Sequence, residues 1–141
     1  MITRLATTED SNTIARLSNQ LGYQASEDAI ERRLHLLIED SNHVVFVALK
    51  ETQIAGWVHG FYTMRVETDH FVEIGGLVVD ESHRHSGIGK LLVEEVIKWS
   101  ASFSPSTIRV RCNTIRKESH LFYERLGFIL KKQQKIFSKN L

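Results

Sequence analysis

Gly75-Gly76-Leu77-Val78-Val79-Asp80-Glu81-Ser82-His83-Arg84-His85-Ser86-Gly87-Ile88-Gly89-Lys90 is the most informative stretch of the chain. An apolar strand runs into a polar loop, and the loop runs into an amphipathic helix. Gly87 and Gly89 sit where loop becomes helix. Glycine there lets the backbone turn sharply and lets a ligand approach with no Cβ in the way. First-turn N–H groups of a helix have no intrahelical acceptor and stand at the positive end of its dipole, which makes a ready site for a pyrophosphate. Arg84 and Lys90 add charge and donors to it.

Two common nucleotide loops fit poorly. A Walker loop ends in Gly-Lys-Ser/Thr, and Gly89-Lys90-Leu91 lacks the hydroxyl that would hold Mg²⁺. The dinucleotide fingerprint needs a third glycine where Leu92 stands, and an early parallel βαβ unit.

Working outward, Ile2–Leu5 reads as a first strand. Thr7-Thr8-Glu9-Asp10 opens a helix with Ile14, Leu17, Ser18 and Leu21 on one side, and Gly22 stops it. Ser26 caps a second helix with an Ile30, Leu34, Leu37, Ile38 stripe. The period then becomes two: strands are expected over Val44–Leu49, Gln53–Met64 and Phe71–Val79, as an antiparallel meander. The helix from Gly87 carries Ile88, Leu91, Leu92, Val96 and Trp99 on one face. A strand over Thr107–Cys112 follows. A helix from Lys117 to Leu126, with Phe122 and Leu126 as its core stripe, ends at Gly127. A last strand or hairpin is expected over Phe128–Leu130 and Ile136-Phe137. The order β-α-α-β-β-β-α-β-α-β describes one α/β (α+β) domain over residues 1–141 with a mixed central sheet.

Composition excludes several classes. The 141 residues are 42% hydrophobic and 25% charged, with one proline, which is ordinary globular usage. Lys+Arg number 18 against 17 Asp+Glu, so no basic excess points to nucleic acid. No apolar run approaches the ~20 residues that cross a bilayer, so no membrane partner is expected. Met1-Ile2-Thr3-Arg4-Leu5 lacks an apolar signal core, so a cytoplasmic location is expected. The single Cys112 reads as a small buried hydrophobe, and the histidines have no metal-ligand spacing, so no metal is expected. Lys131, Lys132, Lys135 and Lys139 read as guards of a solvated edge strand.

Arg84-His85-Ser86-Gly87-Ile88-Gly89 resembles the [Q/R]-x-x-G-x-[G/A] signature of the GNAT superfamily of N-acetyltransferases. Glu73-Ile74 before it and Phe122-Tyr123-Glu124-Arg125-Leu126-Gly127-Phe128 after it resemble two further landmarks of that family, in the right order. The resemblance implies an acetyl-CoA site. Residues Arg84, His85, Ser86, Gly87, Ile88 and Gly89, with Lys90, would bind the pyrophosphate. The backbone of Leu77, Val78 and Val79 would pair with the pantetheine arm, whose two amides suit a strand edge. That strand must then part from Ile108–Cys112, with Gly75-Gly76 as a bulge that starts the parting. Asn113 would either hydrogen-bond the same arm or serve as an ordinary turn residue.

Acetyl transfer needs a neutral amine, and a lysine-like amine with a pKa of ~10.4 is protonated at neutral pH. Glu73, the lone charge in Phe71-Val72-Glu73-Ile74, is the candidate base; a structural ion pair is the alternative. Tyr123 matches the family tyrosine that faces the sulfur and is the candidate acid; a tyrosine packed on the sheet is the alternative. A backbone N–H near Val78-Val79 would serve the thioester oxygen. Trp57, His59 and Phe61 alternate on one strand face and either line an acceptor pocket or form core. The expected activity is acetyl-CoA-dependent transfer to a primary amine of a small molecule or peptide, in a ternary complex, with a homodimer compatible. The alternative is a non-catalytic acyl-CoA sensor on the same fold.

Overall fold

The period-two stretches pair as a sheet. In the computed structural model, which describes residues 1–141, β1 (Ile2–Leu5), β2 (His43–Lys50), β3 (Gln53–Thr63), β4 (Phe71–Val79) and β5 (Ile108–Val110) lie in the order β1-β2-β3-β4-β5. The first four form an antiparallel meander, and β5 joins β4 in parallel. The helices are α1 (Ser11–Asn19), α2 (Glu27–Glu39), α3 (Ile88–Ser100) and α4 (Lys117–Arg125). This is the mixed α/β fold the sequence predicts. None of these helices is long and apolar enough to cross a membrane. The chain divides into two units, Met1–Val110 and Arg111–Leu141.

In the first unit each sheet face has its own cover. Ala6, Ile14 and Leu34 pack with Val45 and Val47, and Ile30, Leu37 and Trp57 border that cluster. This places α1 and α2 on the face that carries Trp57. The other face takes α3 directly on the backbone of β3. A Cβ on Gly56 would stand 3.1 Å from both Ile88 Cγ2 and Leu92 Cδ1, and one on Gly60 2.8 Å from Val96 Cγ1. Four strand residues span about 13 Å and eight helix residues about 12 Å, so Ile88, Leu92 and Val96 ride along the Gly56–Gly60 track. All three are buried, each worth about 1.5–3 kcal/mol of apolar burial. That packing fixes where α3 begins. Ser26 caps α2 as expected, its Oγ accepting from Ala29 N at 3.2 Å.

In the second unit, α4 ends as predicted at Gly127, whose φ of +92° closes the helix. Gly127 N donates to Glu124 O and Phe128 N to Tyr123 O, both at 3.0 Å, which satisfies two terminal carbonyls. The Phe128 ring meets Tyr123 edge-on, centroids 5.5 Å apart.

Three expectations are corrected. The buried residue of α4 is Tyr123, not the Phe122–Leu126 stripe. β5 is three residues, Ile108–Val110, rather than Thr107–Cys112. No strand forms after α4: Ile129, Leu130, Ile136 and Phe137 are exposed and outside any ladder. A short apolar run becomes a strand only when a neighbouring edge takes its backbone groups.

Candidate active site

The site is built around a slip in β4. His59 pairs with Gly76 and Gly60 with Ile74, which leaves Gly75 as an extra, bulged residue. A Cβ on Gly75 would stand 2.8 Å from Phe61 Cε1 and 3.1 Å from His59 Nδ1; one on Gly76 would stand 2.9 Å from Trp57 Cη2. Both positions are glycine because the Trp57–His59–Phe61 strip occupies the space a side chain needs.

The bulge also reverses the hydrogen-bonding phase of the strand. Val72 N donates to Thr107 O on the β5 side, whereas Asp80 N donates to Ala55 O on the β3 side. By the two-residue period, Leu77 and Val79 turn their N–H and C=O away from β3, and Val78 turns towards it. Pairing between β4 and β5 runs only from Val72–Ile108 to Ile74–Val110. Within the first unit, Leu77 and Val79 therefore present amides on an edge that no strand covers. The bulge expected at Gly75-Gly76 is present, and the pairing with β5 ends just before it, at Ile74–Val110.

The strand leads straight into the loop. Asp80 organises it: Oδ1 accepts from Ser82 N at 3.1 Å and Ser82 Oγ at 3.0 Å, and Oδ2 lies 3.8 Å from His83 Nδ1. Burial pushes the Asp80 carboxyl up, but the Ser82 and Gln20 hydrogen bonds outweigh it and hold its pKa below the ordinary range. Glu81 N donates to Gln20 Oε1 at 3.0 Å, which ties the loop to the end of α1. Ser86 Oγ donates to His83 O. His85 and Gly87 adopt φ of +63° and +87° on either side of Ser86. No atom approaches the site of a Gly87 Cβ, so backbone conformation alone demands glycine there. Leu91 N is the first to bond within the helix, to Gly87 O at 3.0 Å, so Ile88, Gly89 and Lys90 N–H lie in the open first turn. No side chain caps that turn. Arg84, His85 and Lys90 are exposed around it, while Ile88 and Gly89 are buried.

Glu73 is buried, with Phe61 across from it on β3 and Arg109 on β5. Cross-strand partners share a face, so Glu73 lies on the His59–Phe61 side. Arg109 stacks its guanidinium 4.0 Å from the centre of the Phe71 ring on that face. His59 is stacked with His43, centroids 5.2 Å apart. Burial, and then the neighbouring His43, push its pKa down to about 4, so the ring is neutral near neutral pH. Trp57 Nε1 is buried with no protein acceptor.

The first unit thus brings together Glu73, Trp57, His59, the Leu77–Val79 edge and the Arg84–Lys90 turn. The other two predicted residues belong to the second unit. Tyr123 is buried on α4, its ring edge-on to Phe122 at 4.9 Å. Asn113 Oδ1 accepts from Ile115 N at 3.1 Å, and its carbonyl oxygen lies 2.9 Å from His120 Nε2. Its side-chain oxygen therefore serves its own turn. In the same unit, burial pushes the Cys112 thiol pKa up, as suits a small hydrophobe. Sequence reading missed Asp80, His43 and Arg109. Asp80 carried a local signal, an Asp two residues before Ser82 at a strand end; His43 and Arg109 depend on register, which leaves none.

A strand edge of open amides thus runs into an uncapped glycine turn at a helix N-terminus. Residues 5–128 match the model of the Acetyltransferase (GNAT) family, and the chain belongs to that family. No curated protein matches the sequence. Among solved structures, the fold is similar to aminoglycoside antibiotic 6'-N-acetyltransferase from Acinetobacter haemolyticus, with TM-score 0.87, 21% identity, and 100% and 99% of the two chains covered. It is similar to glucosamine-6-phosphate N-acetyltransferase from Arabidopsis thaliana, with TM-score 0.82, 22% identity, and 99% and 98% covered. An aminoglycoside N-acetyltransferase solved in complex with CoA gives TM-score 0.87 at 17% identity, with 99% and 95% covered.

Proposed function

We propose that this protein transfers an acetyl group from acetyl-CoA to a primary amine of a small molecule or peptide, directly, in a ternary complex. The observation that carries the reading is the continuity of the Leu77–Val79 open edge with the Ile88–Lys90 open turn. Pantetheine has two amides to match the first, and the pyrophosphate has oxygens to match the second. A similar fold was solved with CoA. Arg84, His85 and Lys90 stand around the turn, and Ser86, tied to His83, holds its shape. Val79 N–H is the outward donor for the thioester oxygen. Asn113 would meet the pantetheine arm through its amide nitrogen.

Acetyl-CoA supplies an activated acyl carbon and a thiolate leaving group. Glu73 takes a proton from the acceptor ammonium, directly or through water, and Tyr123 protonates the departing sulfur. Trp57 and His59 line the acceptor side. The acceptor is defined only as an amine, and the protein acts in the cytoplasm.

The test is thiol release from acetyl-CoA across a broad amine library, with release in the absence of amine as baseline, beside calorimetry with coenzyme A. Amine-dependent release is expected. Coenzyme A binding without any amine-dependent release would replace the enzyme with an acyl-CoA sensor; no coenzyme A binding would overturn both.

A further inference from the structure

Turning an ammonium into an amide removes two protons from one nitrogen. One ends on the coenzyme A sulfur, and the other must reach solvent. On the face that carries Glu73, three residues from different elements form a line towards the surface. His59 Nδ1 points at the bulge, 3.1 Å from where a Gly75 Cβ would stand. His59 Nε2 lies 2.9 Å from His43 Nδ1. His43 Nε2 lies 3.8 Å from Asp40 Oδ2. Asp40 is fixed at the end of α2, with Oδ1 accepting from Asn42 N at 2.9 Å and its carbonyl accepting from His43 N at 3.0 Å. Exposure rises outward: the His43 side chain is 28% exposed and that of Asp40 49%.

The carboxylate, 3.8 Å from His43 Nε2 and so acting through its charge rather than a hydrogen bond, biases the tautomers. Asp40 Oδ2 favours a proton on His43 Nε2, which leaves His43 Nδ1 as acceptor. His59 must then donate through Nε2–H, and its Nδ1 carries a bare lone pair facing the bulge.

We propose that His59, His43 and Asp40 form the proton exit of the acetyl-transfer reaction, with His59 Nδ1 taking a proton from the acceptor nitrogen. The proposal rests on the acetyl-transfer reading above. The acceptor N–H bond breaks as Nδ1–H forms. The His59 Nε2 proton passes to His43 Nδ1, and the His43 Nε2 proton passes to water beside Asp40. No electrons change hands. Glu73 takes the other proton and passes it to water, and a proton from water restores Tyr123 after it has protonated the sulfur. His59 is the catalytic member, His43 relays, and Asp40 is a positioning residue. The charged or titratable groups on this face beside His59 are Arg4, paired with Asp10, and Asp40, His43, Glu73 and Arg109. His59 stays neutral between turnovers, as its low pKa requires, so it conducts a proton rather than storing one.

A purely aromatic stack is the competing account, since His43 and Phe61 are also stacked, centroids 5.6 Å apart. His43→Phe keeps the stack and removes the proton path. With the best amine found, it is expected to lower kcat about tenfold or more, leave KM for acetyl-CoA unchanged, and regain rate with added imidazole. Asp40→Asn is expected to lower kcat less. Nitrogen-15 NMR of the unsubstituted protein should show Nε2–H on both rings and bare Nδ1 on both. Unchanged kcat and pH profile in His43→Phe, a loss that imidazole does not restore, or a proton on His59 Nδ1 would each overturn the relay alone. Absence of transfer by the unsubstituted protein to every amine would overturn the acetyl-transfer reading and the relay with it.

Discussion

Val72 and Asp80 stand eight residues apart in one extended run, yet their amides point to opposite edges of it: Val72 N to Thr107 O at 3.3 Å, Asp80 N to Ala55 O at 2.8 Å. An even separation in a regular strand keeps both on one edge. The single extra residue at Gly75 switches the phase, and the Leu77 and Val79 amides are thereby turned outward. Gly75→Ala presses a methyl against Phe61 and His59. It should cost about 1–3 kcal/mol of stability, read by urea unfolding, and weaken coenzyme A binding. Full affinity in a destabilised variant would separate the bulge from the binding edge.

Gly87 has room for a side chain but the wrong backbone for one, at φ +87°. Gly87→Ala should cost about 1–2 kcal/mol, and Gly87→Asn less, because asparagine tolerates the left-handed region. Coenzyme A affinity, measured by calorimetry, should fall in the same order. Equal affinities in the two variants would mean the turn's shape does not matter to the ligand.

Glu73→Gln should lower turnover by about 10²-fold or more and flatten the rise of rate with pH, since an amide cannot accept the acceptor's proton. Tyr123→Phe should lower turnover while sparing coenzyme A affinity. A pH–rate profile and a calorimetric titration of each variant check these. Unchanged turnover in Tyr123→Phe removes the acid from α4.

His59 titrates near 4 in the fold and near 6.5 unfolded. Its folded form therefore binds fewer protons than its unfolded form between those values. Stability is whole above 6.5 and falls as pH drops towards 4, by at most about 1.4 kcal/mol per pH unit from this group. His59→Phe should lessen that acid loss, as seen in urea midpoints across the range. An NMR midpoint for His59 above 6 would remove the effect.

Arg4 grips Asp10 with both nitrogens, at 2.8 and 2.9 Å, and Thr7 N donates to the same carboxylate at 2.8 Å. The Arg4 hydrogen bonds hold the Asp10 pKa below its ordinary value despite burial. Their contribution is present above that ordinary value and is lost as pH falls through the lowered one. Asp10→Ala should cost about 1–3 kcal/mol at neutral pH, and the difference from the unsubstituted protein should shrink in acid.

The features legible along the chain are local. Ser26 as a cap, Gly127 as a stop, Gly87 at a helix start and the two-residue period of His43–Val79 all act over a few residues, so a linear reading finds them. The Arg84–Gly89 signature likewise lies in one turn. Which residues meet across strands is settled only by the packed fold. His43 reaches His59 through a 16-residue separation, and Glu73 lies opposite Phe61 because of a one-residue slip at Gly75. A slip of one residue exchanges the faces of a strand, and the energy that selects it comes from packing the Trp57–His59–Phe61 strip against two glycines. The short apolar runs Phe128–Leu130 and Ile136-Phe137 show the converse: each suits a strand, but pairing is a property of two segments, and composition specifies one.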